Sequence, residues 1–323
     1  MNNRELIKYF GVNENELENF TKFKITQGNN FLSKKQFFEK RFGEGKMSFV
    51  IPDESFLRVI SGEGNEDRKI TTFYSSSLQS LLFFAGVSKT NPIVFNGVEY
   101  TRALFEWRNP VLNKPSSIDV VLLGNLDTDH PTILFIESKL YEIIRDSTTT
   151  GRCVIGKSYF DNPNGYGKLG LNKKDYRDLG IEKIGEGKGI VNPVGSGEYV
   201  YSYGIKQALS HIIGILNFRE KNAFAIGTDY DIRFLTLINE MPGFTGNSDP
   251  VEKTTCFCNH YNTVIALLRK KEPFQENKKP RIYLDDCISY QKFFQEMQES
   301  EKTGKKYQIP PKIINYYYLE SKI

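Results

Sequence analysis

Two apolar runs joined by a short polar link constrain this chain more than any other feature. Ile118–Leu123 and Thr132–Lys139 both read as strands, and the link between them, Gly124–Pro131, is built from turn-forming residues. So short a link makes the two runs antiparallel neighbours. A strand period of two then places Ile133, Phe135, Glu137 and Lys139 on one face of TILFIESKL. If the pairing turns about the link, Leu123 lies near Ile133 and Asp119 lies near Glu137.

Charges entering an apolar strand need a physical reason. Two carboxylates a few ångströms apart push each other toward protonation unless a cation sits between them. Hard oxygen ligands with room left for water suit Mg²⁺, with Mn²⁺ as a substitute. A metal ion there would polarise a phosphate oxygen and activate a water, while Lys139 orients the nucleophile or steadies the developing negative charge. The expectation is a site that hydrolyses phosphodiesters.

These residues resemble the PD-(D/E)XK nucleases, a family that includes many restriction endonucleases. The match lies in Ser117-Ile118-Asp119 followed by Glu137-Ser138-Lys139, with Ser117-Ile118 standing where the family name has proline. The resemblance covers roughly residues 73 to 240. It implies an α/β, restriction-endonuclease-like mixed central sheet flanked by helices, metal ligation by Asp119, Glu137 and the backbone carbonyl of Ser138, and a catalytic Lys139. It also implies a further acid before the motif, Glu106 in LFEWRNP with Glu99 behind it, and a helical glutamine facing the site, Gln207 in YGIKQALSH. Where one branch of the family has tyrosine four residues after that glutamine, this chain has His211. Glu142 would support Lys139 from outside the site. The resemblance further implies sequence-specific cleavage of DNA in restriction or another defence, with a two-fold dimer cutting both strands. The alternatives are a DNA-binding protein of the same fold that has lost cleavage, and an NTPase using Lys157.

The surrounding text is organised as a segment of short amphipathic helices over residues 1–72 (Arg4–Phe10, Asn13–Phe23, Lys34–Phe42), packed on a nuclease domain over 73–323. Within the latter, Ser75–Gly86 has serine caps, a helical apolar face and a terminal glycine. Glu99–Trp107 reads as a strand, and residues 148–197, rich in Gly, Lys and Tyr, as a loop-rich insertion. Tyr203–Arg219 reads as a helix, Ala223–Gly227 and Ile232–Asn239 as strands, Cys258–Lys270 as a helix, Arg281–Leu284 as a strand and Asp286–Met297 as a helix.

Forty-three Lys and Arg against 39 Asp and Glu leave a net charge of +4, so a DNA-binding surface must come from local clustering. Lys157, Lys168, Lys173, Lys174 and Arg177 in the insertion, interleaved with Tyr159, Tyr166 and Tyr176, are the candidates. Gly151–Ser158, GRCVIGKS, has the letters of a phosphate-binding loop, but DSTTT before it and YFDNPNGYG after it are neither strand nor helix. Cys256, Cys258 and His260 in CFCNHYN resemble metal ligands, yet only Cys287 stands downstream to complete a set. Four cysteines without a secretory leader, and apolar runs far short of the roughly 20 residues of a membrane span, point to a reduced, cytoplasmic protein with no membrane partner and no organic cofactor.

Overall fold

The computed structural model describes residues 29–43, 51, 55–56, 59, 75–111, 115–140, 153–155, 159, 162–179, 181–184, 188–191, 202–226, 229–242, 244, 250–299 and 307–320. Helices α1 (Asn29–Phe42) and α2 (Ser76–Phe84) precede strands β1 (Ile93–Phe95), β2 (Val98–Pro110), β3 (Pro115–Gly124) and β4 (Thr132–Lys139). Then come β5 (Cys153–Ile155), α3 (Lys173–Asp178), β6 (Ile181–Ile184), β7 (Lys188–Val191), α4 (Ser202–Ile226) and β8 (Asp231–Ile238). The chain continues with α5 (Pro250–Arg269), β9 (Arg281–Leu284), β10 (Ile288–Ser289), α6 (Tyr290–Glu299) and α7 (Pro311–Tyr316).

The main sheet has the order β1-β2-β3-β4-β8-β10, with β9 also on β8. It is antiparallel from β1 to β4 and parallel from β4 through β8 to β9 and β10. The fold is therefore α/β, a mixed sheet with helices on both faces. The register of β3 on β4 pairs Leu123 with Ile133 and Val120 with Ile136, as the turn between them dictates.

Each face of the sheet carries its own apolar core. On one, Val120, Leu122, Leu134 and Ile136 meet α1, α2, α6 and the C-terminal segment. On the other, Val121, Phe135, Ile232 and Phe234 meet α4 and α5. Phe38 and Phe42 of α1 are buried in the first core; Arg4–Phe10 and Asn13–Phe23 lie outside the described residues.

The first core holds α2 by its cap as well as by burial. Ser75 accepts from the Leu78 amide at 3.2 Å, satisfying an N–H that would otherwise be orphaned.

Three expectations need adjusting. Residues 223–226 are the last turns of α4 rather than a strand: Arg219–Ile226 contains no breaker, its Ala, Glu and Lys favour helix, and Gly227 is the first stop signal. Helix α6 starts at Tyr290 rather than Asp286. Ile288 and Ser289 instead pair with Leu237 and Ile238, and the Ser289 hydroxyl accepts from the Lys292 amide at 3.0 Å to cap the helix.

The 148–197 segment, finally, contains an antiparallel sheet of order β5-β7-β6, and α3 is closed by a reciprocal cap between Asn172 and Asp175. Its strands are three or four residues long, too short to show a period. Tyr166, Leu169 and Leu179 are buried in the cluster that includes α4, so this part docks on the second core.

Helix α4 must come very close to the ends of β2 and β3. A Cβ on Gly214 would lie 2.9 Å from Asn109 Cβ and 3.2 Å from Val111 Cγ2. Gly214→Ala should therefore lower Tm, because overpacking of about 1–3 kcal/mol outweighs the helix propensity gain of about 1 kcal/mol. Thermal unfolding of the purified variant checks this; an unchanged or raised Tm would show that the contact yields freely.

Candidate functional site

Strands β3 and β4 part at the level of Asp119 and Glu137. Their ladder ends at Val120 and Ile136, beyond which β3 runs on beside β2 to Pro115 and β4 runs on beside β8 to Lys139. The Asp119 carboxylate takes over from the lost backbone partner: Oδ2 accepts from the Ser138 amide at 2.7 Å.

The alternation of side chains also breaks here. Glu106 has a φ of 47°, and its neighbours Phe105 and Trp107 pack in opposite cores instead of on one face. Ile118 and Val120, either side of Asp119, are split in the same way. Both strands thus switch faces at their acidic residues, as at a bulge. Glu106 Oε2 accepts from the exposed Ser117 hydroxyl at 2.8 Å, so the cluster meets solvent on this side.

Glu137 is 4% exposed and heavily partnered. Its Oε1 accepts from Lys139 Nζ at 2.5 Å and from Gln207 Nε2 at 2.7 Å. Its Oε2 lies 3.0 Å from His211 Nε2, close enough for charge attraction but not aligned for a hydrogen bond. The other ring nitrogen, Nδ1, shares a short hydrogen bond with the Ser116 hydroxyl. Gln207 and His211 stand four residues apart on α4, on one side of the helix, and together span the carboxylate.

The two acids differ in electrostatics. Burial works to raise the Glu137 carboxyl, but the His211 imidazole and the Lys139 ammonium overcome it and bring it down to about 2. Its ionised contacts therefore stabilise the fold above the ordinary glutamate value of 4.5 and are lost as pH falls toward 2. Asp119 goes the other way: burial, then repulsion from Glu137 and Glu106, hold it well above the ordinary aspartate value of 3.8, against the pull of Lys139. Keeping Asp119 ionised at neutral pH costs the fold stability.

The strand also holds the site from behind. Ser138, pointing to the opposite face, bonds Tyr290 Oη at 2.9 Å, and Tyr290 reaches Ser80 at 3.4 Å. Thr236, paired with Glu137 across β4 and β8, bonds Tyr261 Oη at 2.7 Å.

Of the residues singled out in the sequence, Asp119, Glu137, Ser138, Lys139, Glu106 and Gln207 come together here. Glu99 does not; it pairs with Val94 at the other end of β2. Lys157 and Glu142 lie outside the described residues. Lys168 is held by Glu220 at 2.5 Å and Asn217 at 2.6 Å, whereas Lys173, Lys174 and Arg177 are exposed on α3. Tyr166 is buried in the core, which removes it from any DNA-facing surface.

Sequence reasoning passed over Ser116 and Tyr290, and treated His211 only as a departure. The spacing of His211 from Gln207 was the one available signal; Tyr290 is 152 residues from Ser138 and gave none. Among the described residues no three or more His, Cys, Asp and Glu side chains form a group that would hold a metal ion. No family model, curated protein or solved structure matches this chain.

The direction of the Asp119 shift makes a test. Asp119→Asn keeps an acceptor for the Ser138 amide and removes the charge, so it should raise Tm by a few degrees at neutral pH. A raised folded-state pKa costs nothing while both states are protonated, so the gain should fade as pH drops to about 3.8 and grow as pH rises. Melting curves across that range decide it; a pH-independent effect would place the cause in packing.

Proposed function

We propose that the chain is a Mg²⁺-dependent DNA endonuclease of the restriction-endonuclease-like fold. The observation that carries this reading is the meeting of Asp119 and Glu137 where β3 and β4 part, with Lys139 bonded to Glu137. A buried acid beside a half-buried one, the latter held above its normal range by desolvation and by its neighbour, is a charge imbalance that a divalent cation relieves. Glu137 Oε2 is moreover a buried acceptor without an aligned donor. Magnesium commonly takes only one or two carboxylates and fills its shell with water and phosphate, so a third acidic or histidine ligand is not required. Asp119, Glu137 and the Ser138 carbonyl would hold the ion, which supplies Lewis-acid polarisation of the phosphate and an acidified water.

The chain's own residues do the rest. Gln207 and His211 orient Glu137 from α4, and the Asp119 hydrogen bond to the Ser138 amide fixes the spacing of the two strands. The Lys139 ammonium, held beside Glu137, faces the negative charge that builds on the phosphate oxygens as water adds and one ester P–O bond breaks. The products are a phosphomonoester and a hydroxyl. Exposed Lys173, Lys174 and Arg177 offer phosphate contacts that add affinity but no sequence reading. A defence role, sequence specificity and a dimer matched to a palindrome complete the proposal, on resemblance alone. A fold that binds DNA without cutting it is the reading to beat.

Incubation with plasmid and phage DNA, with Mg²⁺ or with EDTA, tests this. Discrete, Mg²⁺-dependent fragments are expected. Lys139→Ala should lower the cleavage rate about 10²-fold or more while DNA affinity stays largely intact; cleavage at the parental rate would sink the assignment. Mg²⁺ alone should also raise the Tm of the parent protein, and markedly less that of Asp119→Asn. Binding of DNA with neither cleavage nor a Mg²⁺-induced Tm shift would favour the non-cutting protein.

A further inference from the structure

One cysteine of CFCNHYN, Cys258, meets the downstream Cys287 as a pair and not as part of a metal set. Cys258 on α5 brings its Sγ to 3.5 Å from Sγ of Cys287, in the connection between β9 and β10. No third ligand accompanies them among the described residues. We propose that Cys258 and Cys287 are a thiol pair that a small disulfide of the glutathione class oxidises to a reversible intramolecular disulfide, latching α5 to the β9–β10 connection.

The geometry is prepared by a neighbour. Asn262, four residues after Cys258 and so on the same side of α5, accepts from the Cys287 amide at 2.7 Å and donates to the Cys287 carbonyl at 3.3 Å. That double contact fixes the backbone of Cys287 against the helix turn next to Cys258. The sulfurs need approach by only about 1.5 Å to reach bonding distance, within the reach of side-chain rotation.

The two thiols also differ in access. Cys287 is 3% exposed, and burial followed by the neighbouring Cys258 holds its thiol well above its usual range, so it stays protonated and sheltered. Cys258 is half-buried and meets the reagent first. Its thiolate attacks one sulfur of the small disulfide, forming a mixed disulfide and releasing one small thiol. Cys287 then loses its proton, attacks Cys258 Sγ and expels the second small thiol. Two protein thiols are oxidised and one small disulfide is reduced to two thiols. The inference is independent of the nuclease reading.

The test uses the full chain, reduced and then exposed to oxidised glutathione before alkylation. The expected product is lighter by two hydrogen atoms, resists alkylation at two cysteines, and yields a peptide linking Cys258 to Cys287. Its Tm should rise by several degrees and return on treatment with dithiothreitol. Cys256→Ser should retain the link, and Cys258→Ser, confirmed as folded by circular dichroism, should lose it. A chain that keeps both thiols open to alkylation, stops at a glutathione adduct on Cys258, or bridges Cys256 instead overturns the proposal.

Discussion

The buried carboxylate of Glu137 is the interaction on which this site depends. An isolated charge at 4% exposure would be strongly unfavourable, and here two donors, Lys139 on its own strand and Gln207 on α4, bond it while the His211 imidazole of α4 lies 3.0 Å away. Removing any one of them leaves the others to carry the charge. Those contacts hold the Glu137 carboxyl low at the edge of an apolar core and tie the placement of α4 to the electrostatics of β4.

Asp119 is built on the opposite principle. It receives one backbone hydrogen bond and faces two other acids, so its charge is tolerated rather than welcomed. The two carboxylates thus shift in opposite directions, one lowered by its partners and one raised by burial and its neighbours.

The strands around the site could be read in advance because their signals are local. Apolar runs of strand length joined by a turn leave one register that buries Leu122, Leu134 and Ile136 together, and that register brings Asp119 level with Glu137. Gln207 was within reach only through the family resemblance. Signals that depend on distant packing were out of reach: the break in alternation at Glu106 goes with a positive φ that no residue type there announces, and Tyr290 meets Ser138 only after the chain has closed the sheet. The helical fate of Ala223–Ile226 and the short strands of the 148–197 segment failed for a third reason, since stretches this short carry no distinguishing period.

Ser138 faces away from the acids while its amide serves one of them, so a single residue joins the two sides of the sheet. Its hydroxyl is tied to Tyr290, which lies edge-on to Phe83 with ring centres 5.1 Å apart in an aromatic layer far from any solvent. Exchanging Phe83 or Tyr290 for a residue of another shape would therefore press, through Ser138, on the backbone on which the acidic pair is mounted, from the opposite side of the sheet.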